Sequence, residues 1–256
     1  MNFQHVAGII MWMRKITNKF ENLLADFLVD KGIGTKRAFN FDVLIVALIL
    51  TSSAIFVAET YTLPANIAEV LKFVDLVIIL LFTVEYFARV YVASPKSRYM
   101  FSWLGIVDLL AFLPFWISFF VPWVHSLQFL RVLRIFKLFR FFKQHLNINK
   151  VKEKYLQQVL VSKILLVVFT LLFVSSSLIF TLESAQNPNI NTFDDAAYFS
   201  IVTVTTVGFG DIIPVTRAGR MAISFMILFG ILLIPVYVAS LMRTYMVYYS
   251  KAHNNS

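Results

Sequence analysis

The sequence predicts an all-α membrane protein with six transmembrane helices per subunit and one short helix that enters the bilayer and returns. Three observations carry this expectation. Of 256 residues, 59% are hydrophobic and 14% charged, against roughly 25% charged in soluble domains. Six apolar runs are long enough to cross a hydrocarbon core at about 1.5 Å per residue. A polar, glycine-spaced run at 205–211 follows a segment too short for another crossing. A soluble core of this size could not hide so much apolar surface from water.

The elements follow in chain order. In residues 1–39, the opening AGIIMWM is too short for a signal peptide and lacks a preceding basic stretch. Phe20, Leu23, Leu24, Phe27 and Leu28 share one helical face, which predicts an amphipathic helix at the inner interface, with a soluble cap as the alternative. The first crossing, 41–58, is bracketed by Asp42 and Glu59. Pro64 opens the way to the second, 70–92, which encloses Asp75, Glu85 and Arg89; the third, 103–120, carries Asp108 and Pro114. After a turn at Pro122 and His125, the fourth, 126–143, bears a cation at every third position. Residues 144–158 are polar with scattered Leu and Val and suit a helix lying along the membrane surface. The fifth crossing, 159–182, is apolar apart from Lys163 and Ser175, Ser176 and Ser177, a run suited to helix packing. Thr192 or Asp194 can cap the short helix that follows. A segment that dips in and returns is tolerated only where protein or a watery cavity lines it. The last crossing, 219–245, is interrupted by Gly230 and Pro235.

The chain thus divides into an N-terminal segment (1–39), a four-helix unit (40–143), a linker helix (144–158), a second unit (159–246) and a short tail (247–256). Basic residues crowd the N-terminal segment (Arg14, Lys15, Lys19), the second-to-third loop (Lys96, Arg98) and the linker (Lys150, Lys152, Lys154). The positive-inside rule therefore puts both termini of a multi-pass cell-membrane protein in the cytoplasm.

Function is most legible at Thr205, Thr206, Val207, Gly208, Phe209, Gly210 and Asp211. Alternating glycines let a backbone turn its carbonyls toward an axis where a Cβ would obstruct. A ring of such carbonyls from several copies can replace the water around a cation, so an ion pore formed by a homotetramer is expected. The second signal is the series Arg131, Arg134, Lys137, Arg140 and Lys143. In an α-helix these cations trace a slow spiral; tightened to i→i+3 geometry they form a straight stripe. Intramembrane cations need partners, and Asp75, Glu85 and Asp108 are available on neighbouring helices. Phe82, three residues before Glu85, can form an apolar plug between inner and outer water. A basic helix snorkelling to lipid headgroups and a static charge-paired bundle are the alternatives. Moving one charge through 100 mV is worth about 2.3 kcal/mol, so two charges in each of four subunits would supply roughly 18 kcal/mol.

Over residues 38–245 the chain resembles the voltage-gated potassium channels. Thr206, Val207, Gly208, Phe209, Gly210 and Asp211 are similar to that family's TVGYG filter and its following Asp, with Phe209 in place of Tyr. The resemblance implies that the carbonyls of Thr206, Val207, Gly208 and Phe209, with the Thr206 hydroxyl, line potassium sites, and that the missing Tyr hydroxyl loosens support behind them. It also implies a four-helix voltage sensor beside a two-helix pore with a re-entrant pore helix and filter. Phe82, Glu85 and Arg89 match the second sensor helix, Asp108 and Pro114 the third, and the five cations the gating charges. His125 and Gln128 stand where many members have cations, which implies weaker or shifted voltage dependence. Gly230, eleven residues after Gly219, matches the hinge glycine; Pro235 falls five residues later, whereas the family's Pro-x-Pro comes about seven after the hinge. Gly230 and Pro235 serve either as a gate hinge or as a packing feature.

The resulting expectation is passive potassium conduction with membrane lipids and potassium ions as partners and no cofactor. The alternative is a weakly selective or hyperpolarisation-activated monovalent cation channel of the same architecture. A net charge of +9 could suggest nucleic acid, but the cations are scattered or confined to one apolar helix, and no basic, aromatic face remains. With no Cys, four His and no triad or metal-ligand spacing, an enzyme is not expected.

Overall fold

A computed structural model describes residues 36–121, 132–145 and 153–254. The expected N-terminal amphipathic helix, His125, Gln128, Arg131 and residues 146–152 lie outside the described residues. Among the described residues the fold is all-α, with helices α1 (Lys36–Ala58), α2 (Ala65–Val92), α3 (Lys96–Met100), α4 (Trp103–Leu110), α5 (Leu113–Phe120), α6 (Leu138–His145), α7 (Glu153–Glu183), α8 (Phe193–Val204) and α9 (Arg217–Asn254). Residues 132–137 form a 3₁₀ segment running directly into α6.

Among the described residues the chain does not form the expected six transmembrane helices with a re-entrant pore. Among the described residues, three helices are long and apolar enough to cross a membrane: Asn40–Ala58, Gln157–Glu183 and Arg217–Arg243. The difference has physical causes. Helix α2 has the length, at 28 residues, but Glu69, Lys72, Asp75, Glu85 and Arg89 interrupt its apolar surface. The expected third crossing breaks at Ala111 and Phe112 into two eight-residue helices. Pro114 sits in the first turn of α5, where a residue without an N–H is tolerated but cannot continue a preceding helix. The described part of the expected fourth crossing, from residue 132 onward, is the 3₁₀ segment plus the eight-residue α6. The segment read as re-entrant is a twelve-residue helix, α8, held between α7 and α9. The three long apolar helices nevertheless make this a membrane protein in contact with lipid.

The two larger of three apolar clusters organise the described residues; the smallest pairs Leu160 of α7 with Leu241 of α9. In the first, Ile49 of α1, Ile78 and Phe82 of α2, Ile135 of the 3₁₀ segment and Leu166 of α7 are buried together. In the second, Ile179 of α7, Ala196 and Phe199 of α8 and Ile223 of α9 pack around Ile190. Helix α7 therefore contributes to both. Local chemistry sets several helix starts: the Ser102 hydroxyl accepts from Gly105 N at 3.0 Å before α4, and Asp195 reaches back to accept from Thr192 N at 3.0 Å before α8, as in a capping box.

Candidate functional site

The 3₁₀ segment aligns its cations because residues three apart eclipse in that geometry. Arg134 and Lys137 both lie within it, and Arg140 follows in the first turn of α6. All three are buried, so each needs a countercharge. Arg134 Nη1 donates to Asp75 Oδ1 at 2.5 Å and to the Ser52 hydroxyl, while its Nε donates to the Ala111 carbonyl at 3.1 Å. Ser52 in turn donates to Asp75 at 2.7 Å. Lys137 Nζ lies 2.7 Å from Glu85 Oε2 and 3.7 Å from Asp108 Oδ1. It also stands 4.2 Å from the centroid of the Phe82 ring, a cation–π arrangement in a desolvated site. Arg140 pairs with Asp108 and donates to the Tyr99 hydroxyl at 3.0 Å. The Tyr99 hydroxyl donates to Asp108 at 2.6 Å.

Arg89 joins the same network from α2 itself. It pairs with Glu85 one turn back, lies 3.6 Å from Asp108 and 3.8 Å from Asp42 of α1. Four cations (Arg89, Arg134, Lys137, Arg140) thus face four carboxylates (Asp42, Asp75, Glu85, Asp108). Phe82, with no exposed surface, stands beside the middle cation of the stripe. Of the expected cations, Arg131 lies outside the described residues, as does the environment of the Lys143 side chain in α6.

The glycine-spaced loop has positive φ at every second residue: Thr206 at 60°, Gly208 at 57° and Gly210 at 77°. In an extended strand successive groups point to opposite sides, and reversing φ at alternate residues removes that alternation. Thr206 adopts the left-handed region despite its Cβ, at a cost of roughly 1–2 kcal/mol. Val207 and Phe209 between them are exposed. The loop is tied back to α8, since Val207 N and Gly208 N both donate to the Val202 carbonyl, at 3.1 and 3.3 Å. The C-terminal end of α8 leads straight into this loop, and a helix C-terminus carries partial negative charge that favours a nearby cation. At the far end the Tyr198 hydroxyl donates to Asp211 Oδ2 at 2.8 Å, which raises the Tyr198 pKa because the bond holds the phenolic proton.

The last helix is anchored by a carboxylate. Glu183, fully buried at the end of α7, accepts from Val215 N at 2.8 Å, Thr216 N at 3.0 Å, Thr216 Oγ1 at 2.6 Å and Asn187 Nδ2 at 3.0 Å. Its carboxylate lies against Gly219, where any Cβ would collide with it. Helix α9 then runs continuously through Gly230 and Pro235. A Cβ at Gly230 would meet Val204 Cγ1 at an ordinary 3.7 Å.

The fold brings together Arg134, Lys137 and Arg140, the three expected acids and Phe82; the ion pairs of this network do not involve the loop, Gly230 or Pro235. Sequence reading overlooked Ser52, Tyr99, Tyr198 and the Glu183 anchor. Glu183 alone left a signal, as an isolated acid closing a long apolar run.

An all-α membrane protein with a buried charge network is the class these features define. The chain belongs to the ion transport protein family, whose model matches residues 38–253. It is 34% identical over 190 residues to the hyperpolarization-activated voltage-gated potassium channel of Methanocaldococcus jannaschii, covering 73% of this chain and 87% of that one. It is 30% identical over 183 residues to the potassium voltage-gated channel protein Shal of Drosophila melanogaster, covering 67% of this chain and 32% of that one. The calcium-activated potassium channel slo-1 of Caenorhabditis elegans is 29% identical over 174 residues, covering 64% of this chain and 15% of that one. The chain thus spans a third or less of these two animal relatives. The chain is related to potassium-channel proteins, and family membership makes it a transporter rather than an enzyme.

Proposed function

We propose that the chain is a voltage-gated potassium channel subunit. Four copies form a passive, potassium-selective pore that opens when the charged segment moves. Thr206, Val207, Gly208 and Phe209 offer carbonyls to potassium, and Gly210 and Asp211 close the filter. Arg131, Arg134, Lys137, Arg140 and Lys143 carry the gating charge. Asp75, Glu85 and Asp108 exchange partners with them as the segment slides past Phe82. Residues 40–143 form the sensor, 144–158 the connection and 159–246 the pore-forming part, in which Gly230 and Pro235 permit the last helix to bend. Residues 1–39 and 247–256 lie in the cytoplasm of a multi-pass cell-membrane protein.

The single observation that carries this reading is the left-handed backbone at Thr206, Gly208 and Gly210, the local geometry that a row of carbonyls aimed at one cation path needs. The test is the reversal potential of single-channel current from the purified full chain in a planar bilayer, with potassium on one side and sodium on the other and voltage stepped both ways. Reversal near the potassium potential with opening on depolarisation is expected; reversal near zero overturns potassium selectivity.

A second reading concerns polarity. The archaeal relative is named as hyperpolarization-activated, and opening only on negative steps in the same recording would assign that polarity here. The stripe would then close the pore on its outward stroke.

A further inference from the structure

Residues 40–143 and residues 159–246 of this chain touch along a built contact at the α1–α2 corner. The Tyr61 hydroxyl donates to Asp194 Oδ1 at 2.6 Å. One residue earlier, the Thr60 hydroxyl oxygen accepts from Phe193 N at 3.2 Å, taking up one of the donors that a helix N-terminus leaves without a partner. Below these bonds the Phe193 ring meets Phe56 of α1 edge-on, with centroids 6.3 Å apart, and Phe173 of α7 at 5.5 Å. The contact then continues through the interior, because Leu166 of α7 is buried within the core of α1 and α2, with Phe173 and Val174 packed against it. Polar pairing at the corner, an aromatic cluster beneath it and a shared core thus join the two halves of one chain along α7.

In a ring of several subunits residues 40–143 have two places to dock: the α7 and α8 of their own chain, or those of a neighbour. Exchange of identical elements between protomers is a low-cost route to assembly, so the choice is a property of each sequence. We propose that in the homotetramer residues 40–143 of each chain dock on α7 and α8 of the same chain through Thr60, Tyr61 and Phe193, so that every subunit is self-contained and none is exchanged. This inference rests on the four-copy reading above and adds to it which copy supplies the contact. Docking on a neighbour would require the bonds at Thr60 and Tyr61 and the Leu166 packing in the first core to be given up within the chain and remade between chains.

The chain has no cysteine, so a pair can be introduced without background. The bond between Phe193 N and the Thr60 hydroxyl brings these residues within reach of the ~4.4–6.8 Å between Cα atoms that a disulfide spans. The full chain carrying Thr60→Cys and Phe193→Cys is oxidised in detergent and run without reductant, and its disulfide is mapped by peptide mass. A bond within single chains is expected, with the gel showing monomer only. Co-assembled subunits, one tagged with Thr60→Cys and one untagged with Phe193→Cys, are expected to yield no covalent dimer. A ladder of linked chains from the double variant, a dimer from the mixed subunits, or no bond in any preparation would each overturn the proposal. If Phe193→Cys fails to fold, Tyr61→Cys with Asp194→Cys, bridged by a flexible bismaleimide, gives the same readout. Light scattering of the unmodified protein separates the two levels: a monomer in solution would reject the four-copy reading while leaving the intrachain bond intact.

Discussion

The Tyr198 hydroxyl holds Asp211 at 2.8 Å, binding the middle of α8 to the far end of the glycine-spaced loop. Phe209 lacks the hydroxyl that Tyr would offer at that position, so a phenol elsewhere supplies a polar tether. Tyr198→Phe keeps the ring and removes only the tether. We expect potassium current to decline faster during sustained opening than in the parent. An unchanged time course in the same bilayer would show that the tether does not hold the conducting loop.

Lys137 is the middle member of the stripe, within 4 Å of both Glu85 and Asp108. Lys137→Met removes its charge and leaves part of the acid cluster uncompensated, which for a broken buried pair costs about 3–5 kcal/mol. A substantially lower unfolding temperature is expected, with Lys137→Arg recovering most of the loss. A wild-type melt for Lys137→Met would mean that the network is solvated rather than sealed.

Arg134→Gln keeps hydrogen-bonding capacity toward Asp75 and Ser52 but deletes one charge from the stripe. If that charge crosses the membrane field at about 2.3 kcal/mol per 100 mV, the conductance–voltage curve becomes shallower. Equal steepness in the variant and the parent would remove Arg134 from the set of moving charges.

Gly208 has φ of +57° and open space where a Cβ would lie. Gly208→Ala therefore costs only the roughly 1–2 kcal/mol of a left-handed alanine, so the protein should fold while its loop relaxes toward ordinary backbone. Loss of potassium selectivity is the expected result, read as a reversal potential shifted toward zero. Preserved selectivity would place the ion path elsewhere.

Gly219→Ala drives a methyl group into the Glu183 carboxylate, and overpacking of this kind typically costs about 1–3 kcal/mol. Faster hydrogen exchange at the Val215 and Thr216 amides, which donate to Glu183, is the expected signature. Unaltered protection at both amides would show that the anchor yields without breaking.

The charged stripe was legible because cations at every third position within apolar sequence require countercharges inside the protein, and the acids at Asp75, Glu85 and Asp108 stood out against the same background. The pairing order was not legible. That Arg134 meets Asp75 while Lys137 meets Glu85 depends on the register of one element along another, which packing around Phe82 and Ile135 decides. Six crossings were read from apolar run length alone. That measure ignored how the charges on α2 divide its surface and how Ala111 and Phe112, ahead of Pro114, break the following run. Ser52 and Tyr99 matter only through what they touch, and such polar side chains look ordinary in sequence. The positive φ of Gly208 and Gly210 followed from residue type, whereas that of Thr206 did not.

The six residues of the 3₁₀ segment at 132–137 make the charged element longer than an α-helix of equal residue count. At about 2.0 Å of rise per residue instead of 1.5 Å, the excess is about 3 Å. Rewinding those residues would therefore shorten the element and draw α6 toward Arg134 even if Arg134 kept its grip on Asp75. If the charged element moves as proposed, a change of pitch adds to its travel, which then differs from the translation of a rigid rod.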